Sequence, residues 1–399
     1  MGVYFYKQQE DKMKIIYFTT ASEKEDFNSF QENWTSSLNS FIQNLHNRLI
    51  RSLAITHEVE VISIRPFSRR YCKLKKLPAS TTSEGKITWH YLAIKRSKLF
   101  RYHSAKKQAK KILGKMNLKD CVVLTDTLNP YLLMASKKLA KKFDLPIIGI
   151  CNNSPSGITN TRRSYTLLLH LLADNLSGYI TLTSGLNELF NKYNRANLTF
   201  EGIVENKFKK QDVSEYGKYA FFFGNLEEKF GVNELIKAFI EYDKKDINLV
   251  IAGYHGSSDK INKLIKNHSN IKYLGMIPND LALSLENGSL FNINPRPYSE
   301  DYDRYLIPWD VLDYLNSNSL TVSVRNSKLK NYFEEDVIWL NSNEKEDFIT
   351  GFNKALSIKG DEREQMIKKA TINVNKLYSM EVVNRKVILF LKQFLKQRD

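Results

Sequence analysis

The feature that most constrains this chain is a rhythm that runs, stops and starts again. Short runs of β-branched and aromatic residues alternate with longer helical patterns. In the first half, 14–20, 58–64, 86–94, 121–127, 145–152 and 178–183 read as strands, with helices at 37–54 and 129–143 between some of them. Apolar runs separated by helices of roughly 10–15 residues imply parallel strands joined by βαβ crossovers. Their scant alternation suits a sheet covered on both faces. The polar, aperiodic stretch 205–217, ENKFKKQDVSEYG, interrupts the rhythm and reads as a linker. Strands then resume at 219–226, 247–254, 271–277, 289–295, 320–324 and 336–341, and helices near 361–378 and 381–397 close the chain. At 399 residues the chain is comfortable as two domains and too long for one ordinary core. The sequence thus predicts an α/β protein of two doubly wound, Rossmann-like domains, 1–204 and 218–380, with a ligand cleft at their mutual face. In such sheets ligands bind beyond the carboxyl ends of the strands.

Composition removes several classes. The chain is 42% hydrophobic and 26% charged, which does not suit a disordered protein. Cys72, Cys121 and Cys151 form no C-x-x-C pair and read as buried, reduced thiols, favouring a reducing compartment. No secretory signal is read in the first residues. The longest apolar stretch, 165–182, carries His170, Asp174 and Asn175 and breaks at Ser177-Gly178, so it reads as helix plus strand. A cytoplasmic protein, at most peripheral to the inner face of a membrane, is expected.

The net charge of +17 is uneven: residues 61–119 hold 17 lysines and arginines and one acid, Glu84. Such a block suits an anionic partner, and an anionic membrane surface meeting the basic region 65–119 is the one expected. Nucleic acid is not, because the region lacks the aromatic platforms of RNA-binding modules. Lys106, Lys107, Lys110 and Lys111 would form one basic stripe on a helix.

The chemistry concentrates in 292–324, NINPRPYSEDYDRYLIPWDVLDYLNSNSLTVSV. A strand runs through an extended loop into a helix with Pro308 in its first turn. The start of a helix offers unpaired N–H groups and a positive dipole end, which suit a diphosphate. Asp313, five residues on, is placed to meet a ribose diol. Asp301-Tyr302-Asp303 has the spacing of a metal-binding D-x-D, but such triplets arise readily in acidic loops, and the histidines show no zinc spacing, so no metal and no cofactor is expected.

This stretch resembles the donor-binding segment of retaining GT-B glycosyltransferases of family 4, in the capsule or exopolysaccharide branch. Asn294-Pro295-Arg296 matches its N-P-R, Arg304-Tyr305 its K-Y, Pro308 its proline, and Asp313-Tyr314-Leu315 its E-Y-L. Gly224, Gly253 and Gly275 fall at successive strand ends and Gly231 opens a helix, in register with the same family. The resemblance implies transfer of a hexose from a nucleoside-diphosphate sugar, UDP-linked by preference, without an obligatory metal. It places the donor on 218–380 and a glycan or lipid-linked acceptor on 1–204, with the final helix, 381–399, crossing back to the first domain. Arg296 and Arg304 would stabilise the leaving diphosphate. The main chain at Gly275, Met276 and Ile277 would hold the base and Asp313 the ribose, with Gly224, Asn225, Lys229, Gly253, Tyr305 and Pro308 completing the donor site. Asn225, Asp310, Asp313 and Asn318 depart from the usual arginine, lysine, glutamate and glycine, and Thr19-Thr20-Ala21 replaces a glycine-rich turn.

On the acceptor side, Asp126 and Asn129 follow one strand and Asn152, Asn153 and Ser154 the next. Asp126 is the candidate catalytic group there, and Asn129, Asn152, Asn153 and Ser154 would orient an acceptor. Asp126 serves equally as a helix cap, and 152–154 equally as a turn before Pro155. The alternative to an enzyme is a degenerate GT-B subunit that stabilises a partner glycosyltransferase.

Overall fold

The computed structural model describes residues 13–31, 33, 40–67, 72–74, 76–94, 101–157, 163–244 and 246–395. Two compact units emerge, one of Met1–Phe27, Leu49–Phe200 and Asn384–Asp399, the other of Asn28–Arg48 and Glu201–Val383. Residues 205–217 group with the second.

The first unit is an eight-stranded sheet: β1 (Lys14–Thr19), β2 (Glu58–Ser63), β3 (Ser80–Glu84), β4 (Ile87–Tyr91), β5 (Cys121–Asp126), β6 (Ile147–Cys151), β7 (Gly178–Thr181) and β8 (Ala196–Thr199). The spatial order is β3-β4-β2-β1-β5-β6-β7-β8, and every pairing except β3 with β4 is parallel. All six residues of β5 and all five of β6 are buried, as expected of strands covered on both faces. Its helices are α3 (Arg101–Leu113), α4 (Pro130–Lys142), α5 (Arg163–Ala173) and α6 (Ser184–Phe190), while α1 (Lys24–Gln31) and α2 (Ser40–Ala54) are divided between the two units. From β4 onward the connections step through β5, β6 and β7 in one direction. Right-handed crossovers therefore set α3, α4 and α5 side by side on one face of the sheet.

The second unit is wholly parallel: β9 (Tyr219–Asn225), β10 (Asn248–Tyr254), β11 (Ile271–Gly275), β12 (Phe291–Asn294), β13 (Leu320–Val324) and β14 (Ile338–Leu340), in the order β11-β10-β9-β12-β13-β14. This is the nucleotide-binding order, with its switch point between β9 and β12. Alternate residues of β9 enter two cores. Ala220 and Phe222 pack with Leu249, Ile293 and Phe352, whereas Tyr219, Phe221 and Phe223 pack with Val250 and Leu285. Helices α7 (Val232–Tyr242), α8 (Ser258–Ile265), α9 (Asn279–Gly288), α10 (Glu300–Asp303), α11 (Trp309–Leu315), α12 (Ser327–Phe333), α13 (Lys345–Ser357), α14 (Gly360–Tyr378) and α15 (Met380–Lys392) complete the chain. From Asn384, α15 groups with the first unit, where the Asn384 amide donates to Ser52 O at 2.7 Å.

Two elements depart from the sequence expectation. The strand β3, paired in a hairpin with β4, and the edge strand β8 are both additions to the predicted set. β3 is exposed along its whole length and carries no apolar pattern, and β8 buries none of its four residues fully. The three cysteines are buried and form no disulfide. Among the described residues no helix is long and apolar enough to cross a membrane. Of the basic block, Arg69, Arg70, Lys75, Lys95, Arg96 and Lys98 lie outside the described residues.

Candidate active site

The switch point of the second unit gathers Gly224, Asn225, Lys229, Gly253 and Arg296 among the donor-side candidates. β9 ends in Gly224 and Asn225, and β12 runs into Pro295 and Arg296. Gly253, on β10, lies in register with Gly224, and a Cβ on it would stand 2.0 Å from the Gly224 carbonyl oxygen. Gly231, with φ +84°, opens α7, and a Cβ there would stand 2.2 Å from Pro295 O. Only glycine lets the start of α7 approach the end of β12 this closely. The helix has no side-chain cap, so its first N–H groups are held by no capping side chain. Directly before it, the Phe230 ring has the Lys229 ammonium 5.2 Å from its centroid and the Arg296 guanidinium 5.8 Å away. Two cations and a helix's positive end therefore meet around one ring.

That charge is partly balanced. Arg296 Nη2 donates to Asp303 Oδ1 at 2.7 Å, and Ser299 N donates to the other oxygen at 3.0 Å. Lys229 lies 3.4 Å from Glu227. Burial raises the pKa of Asp303 against the pull of Arg296. Asp303 of the D-x-D triplet is thus a partner of arginine. Asn225 closes its own turn by accepting from Glu227 N at 3.0 Å.

Farther along, Tyr314 fastens α11 to β9: its hydroxyl accepts from Phe223 N and donates to Phe223 O, each at 3.0 Å. The helix has seven residues, and the acid Asp310 sits in its first turn. This differs from the sequence expectation of a helix start open to diphosphate, and the uncapped helix end near Arg296 belongs to α7 instead. Asp310 Oδ2 lies 3.0 Å from where a Gly224 Cβ would stand. Burial, with the negative charge of Asp313, pushes its pKa up to about 7 against the pull of Arg296 and Arg48.

Both oxygens of Asp313, the residue expected to meet the ribose, accept from the buried Arg48 of α2, Nη1 to Oδ1 at 2.8 Å and Nη2 to Oδ2 at 3.0 Å. Arg48 also donates to Ile203 O at 3.1 Å and lies 3.7 Å from Glu205. Burial works against the guanidinium charge, but Asp313 and Glu205 outweigh it and raise the Arg48 pKa. Glu286 is 2% exposed, and its Oε2 makes no hydrogen bond. Burial first, then the charge of Asp313, lifts its pKa well above the ordinary carboxylate value against the pull of Arg48. With Phe223, Tyr254 and Trp309 these groups enclose a cavity of about 20 Å³, room for about one water.

The remaining donor-side candidates scatter. Ile277 is buried in a core, Met276 is partly covered, and Gly275 ends β11 at φ +65°. Pro308 is buried, while Arg304 is exposed and lies 5.7 Å from the Tyr305 ring.

In the first unit the acceptor-side candidates carry local turn chemistry. Asp126 Oδ1 accepts from Leu128 N at 2.9 Å, and Asn129 caps α4 by accepting from Tyr131 N and Leu132 N. Asn153 Oδ1 accepts from Ser154 N, the Ser154 hydroxyl shares a hydrogen bond with that of Ser156, and Asn152 is fully buried. Asn129 alone among them lines a cavity of about 220 Å³ beyond the ends of β2, β4 and β5, with Ile64, Leu92, Ile94, Tyr131 and Tyr165. Arg65 also lines it, held by Asp26 at 3.0 Å and Pro78 O at 2.8 Å and stacked 4.7 Å over Tyr91. Neither Arg65 nor Tyr165 stands out in the sequence, where Arg65 is one cation of a basic block.

The titration of Asp310 has a consequence that can be measured. A carboxyl whose pKa rises on folding adds stability below its unfolded value and loses it as pH climbs through the folded one. Stability should therefore decline between about pH 4 and pH 7. Asp310→Asn should flatten that part of the profile and leave the variant more stable than wild type at pH 8, on the order of 1–2 kcal/mol. Urea midpoints at pH 4, 6 and 8 test this; parallel profiles for the two proteins would refute it.

Residues 203–372 match the family model "Glycosyl transferases group 1". Solved structures similar to the whole chain include sucrose-phosphate synthase from Thermosynechococcus elongatus, with a TM-score of 0.68 at 10% identity, covering 96% of this chain and 100% of that one. The α,α-trehalose 6-phosphate synthase of Burkholderia multivorans aligns with a TM-score of 0.64 at 11% identity, over 98% and 100% of the two chains. A trehalose-6-phosphate structure from E. coli, bound with UDP-2-fluoro glucose, gives 0.63 at 11% identity over 96% and 99%. No curated protein matches the sequence. The fold is GT-B, and the residues matched by the family model lie within the second unit.

Proposed function

We propose that the chain is a retaining hexosyltransferase that takes its sugar from a nucleoside diphosphate, UDP by preference, and passes it to a glycan or lipid-linked acceptor in surface polysaccharide or glycoconjugate synthesis. The observation that carries this reading is the convergence of Lys229, Arg296 and the uncapped start of α7 around Phe230 at the switch point of the second sheet. As the sugar leaves, negative charge grows on the departing diphosphate. Cations and amides already fixed in place offset that charge without reorganising. Phe230 excludes water from one side of the pair, which strengthens the attraction. The Asp303 carboxylate holds the Arg296 side chain in position. The similar E. coli structure has UDP-2-fluoro glucose bound, which supports the donor class by analogy. The acceptor belongs in the cavity of the first unit, where apolar walls and Arg65 suit a molecule part apolar and part anionic. Family 4 and its capsule branch stay with the resemblance of Asn294-Pro295-Arg296 and Asp313-Tyr314-Leu315.

A second reading has its own support. Asp313 is engaged by Arg48, and Asp310 stands beside Gly224, where the family carries no such acid. A chain so altered would serve as a stabilising subunit of a partner glycosyltransferase. Incubating the purified protein with UDP-, GDP- and TDP-hexoses and following hydrolysis separates the two. Release of nucleotide from one of them by the protein alone supports the enzyme. Silence on all three, with release only after a co-purifying protein is added, supports the subunit.

A further inference from the structure

The layer of α3, α4 and α5 presents a surface that a protein bathed only in water has no reason to build. On α5, Leu169 and Ala173 are buried against the unit, while Leu167, Leu168 and Leu171 are 61%, 40% and 63% exposed. Residues 167, 168 and 171 share one side of a helix, so these leucines form a stripe turned outward. Lys137 of α4 locks the end of α5 to this layer by donating to Leu172 O at 2.7 Å and Asp174 O at 2.8 Å. It also satisfies carbonyls at a helix C-terminus, where a cation is favourable.

Alongside the leucines, α3 and α4 crowd their lysines together. The Lys106 and Lys138 ammonium groups lie 5.4 and 6.0 Å from the centroid of one ring, Tyr102. One turn farther along each helix, Lys110 lowers the pKa of the exposed Lys142, through a side-chain hydrogen bond first and then through its charge. Lys107, Lys111 and Lys141 add exposed cations to the same two helices. Among the described residues neither α3 nor α4 contains an acid. Like charges held this close are relieved by an anion that spans them.

We propose that this face docks on an anionic lipid bilayer, with the lysines of α3 and α4 on the headgroups and the leucines of α5 at the boundary of the acyl chains. An acidic protein would satisfy the lysines and leave three leucines in water. A lipid surface takes both, because it offers negative charge and hydrocarbon within a few ångströms of depth. The cavity of Arg65 and Asn129 borders the same layer, since Ser104 and Ala105 of α3, Tyr131 of α4 and Tyr165 of α5 line it. A lipid-linked acceptor would thus be met where the protein meets the bilayer. In this last respect the inference rests on the proposed function; the docking itself does not.

Sedimentation with sucrose-loaded vesicles tests it without any nucleotide sugar. The wild-type protein should pellet with equimolar phosphatidylglycerol and phosphatidylcholine, remain in the supernatant with phosphatidylcholine alone, and release as salt rises. Each lysine at such a surface contributes about fivefold, so Lys110→Ala/Lys142→Ala should weaken partitioning roughly 25-fold. Leu167→Ser/Leu171→Ser should also weaken it, while leaving the salt dependence in place. No pelleting of the wild type overturns the inference. So does a leucine variant that partitions like wild type, because lysines alone would then be reading any polyanion, such as an acidic protein. Failure of sugar transfer beside intact vesicle binding would count against the proposed function only.

Discussion

Arg48→Met should lower the stability of the protein by about 3–5 kcal/mol at neutral pH, the cost typical of removing one partner from a buried ion pair. The reason lies in what stays behind. Asp313 loses two hydrogen bonds at 2.8 and 3.0 Å, Glu205 loses the cation 3.7 Å away, and Ile203 O loses its donor. Methionine fills the space without answering any of these groups. Acidification should restore part of the loss, since the orphaned carboxylates can then take up protons. Asp313→Leu in the same background should recover part of the deficit, because replacing both partners removes the uncompensated charge. Urea denaturation of wild type, single and double variants at pH 5 and pH 8 measures all of this. A single variant within about 1 kcal/mol of wild type at pH 8 would mean the pair is weak, as exposed pairs are.

The second large effect concerns turnover. Arg296→Met alone is ambiguous, because it also leaves Asp303, which is 6% exposed, without its cation. Asp303→Asn removes that ambiguity. In that variant the asparagine oxygen can still accept from the guanidinium and so hold it near Phe230, but the counter-charge is gone, so donor affinity should rise or hold. Adding Arg296→Met to it should then cut kcat by about 10²–10³, the usual loss for one donor to a developing anion. Initial rates for the three proteins, with urea midpoints alongside, test this. Equal rates in the single Asp303 variant and the double variant would remove Arg296 from the chemistry.

Much of the architecture was legible because it rests on local chemistry. The buried parallel strands announced themselves as apolar runs, and β9 to β13 lie within a few residues of where the pattern put them. Gly231 and Gly253 were legible for the same reason: each sits where a backbone passes too close for a Cβ, and glycine is the sequence's only answer. The hairpin strand β3 was invisible because a polar, exposed strand leaves no periodic trace. Arg48 was invisible for another cause. Its partner Asp313 is 265 residues away, and nothing in the amphipathic pattern of α2 says which arginine will be buried. Glu286 lies near the end of α9, and its burial follows from packing that only the fold creates. The segment 292–324 thus stands out through its motif, while the ion pair between Arg48 and Asp313 leaves no such trace.

The central claim is that the start of α7, with Lys229 and Arg296, grips a diphosphate. Thermal unfolding with saturating UDP, GDP and TDP, added separately to wild type, to Asp303→Asn and to Asp303→Asn/Arg296→Met, addresses it directly. A ligand at 100 times its dissociation constant stabilises a protein by about 2.7 kcal/mol, enough to move a melting temperature by several degrees. The account predicts such a rise for one of the three nucleotides in the first two proteins and its loss in the third. No rise with any nucleotide, or an undiminished rise in the double variant, would contradict it.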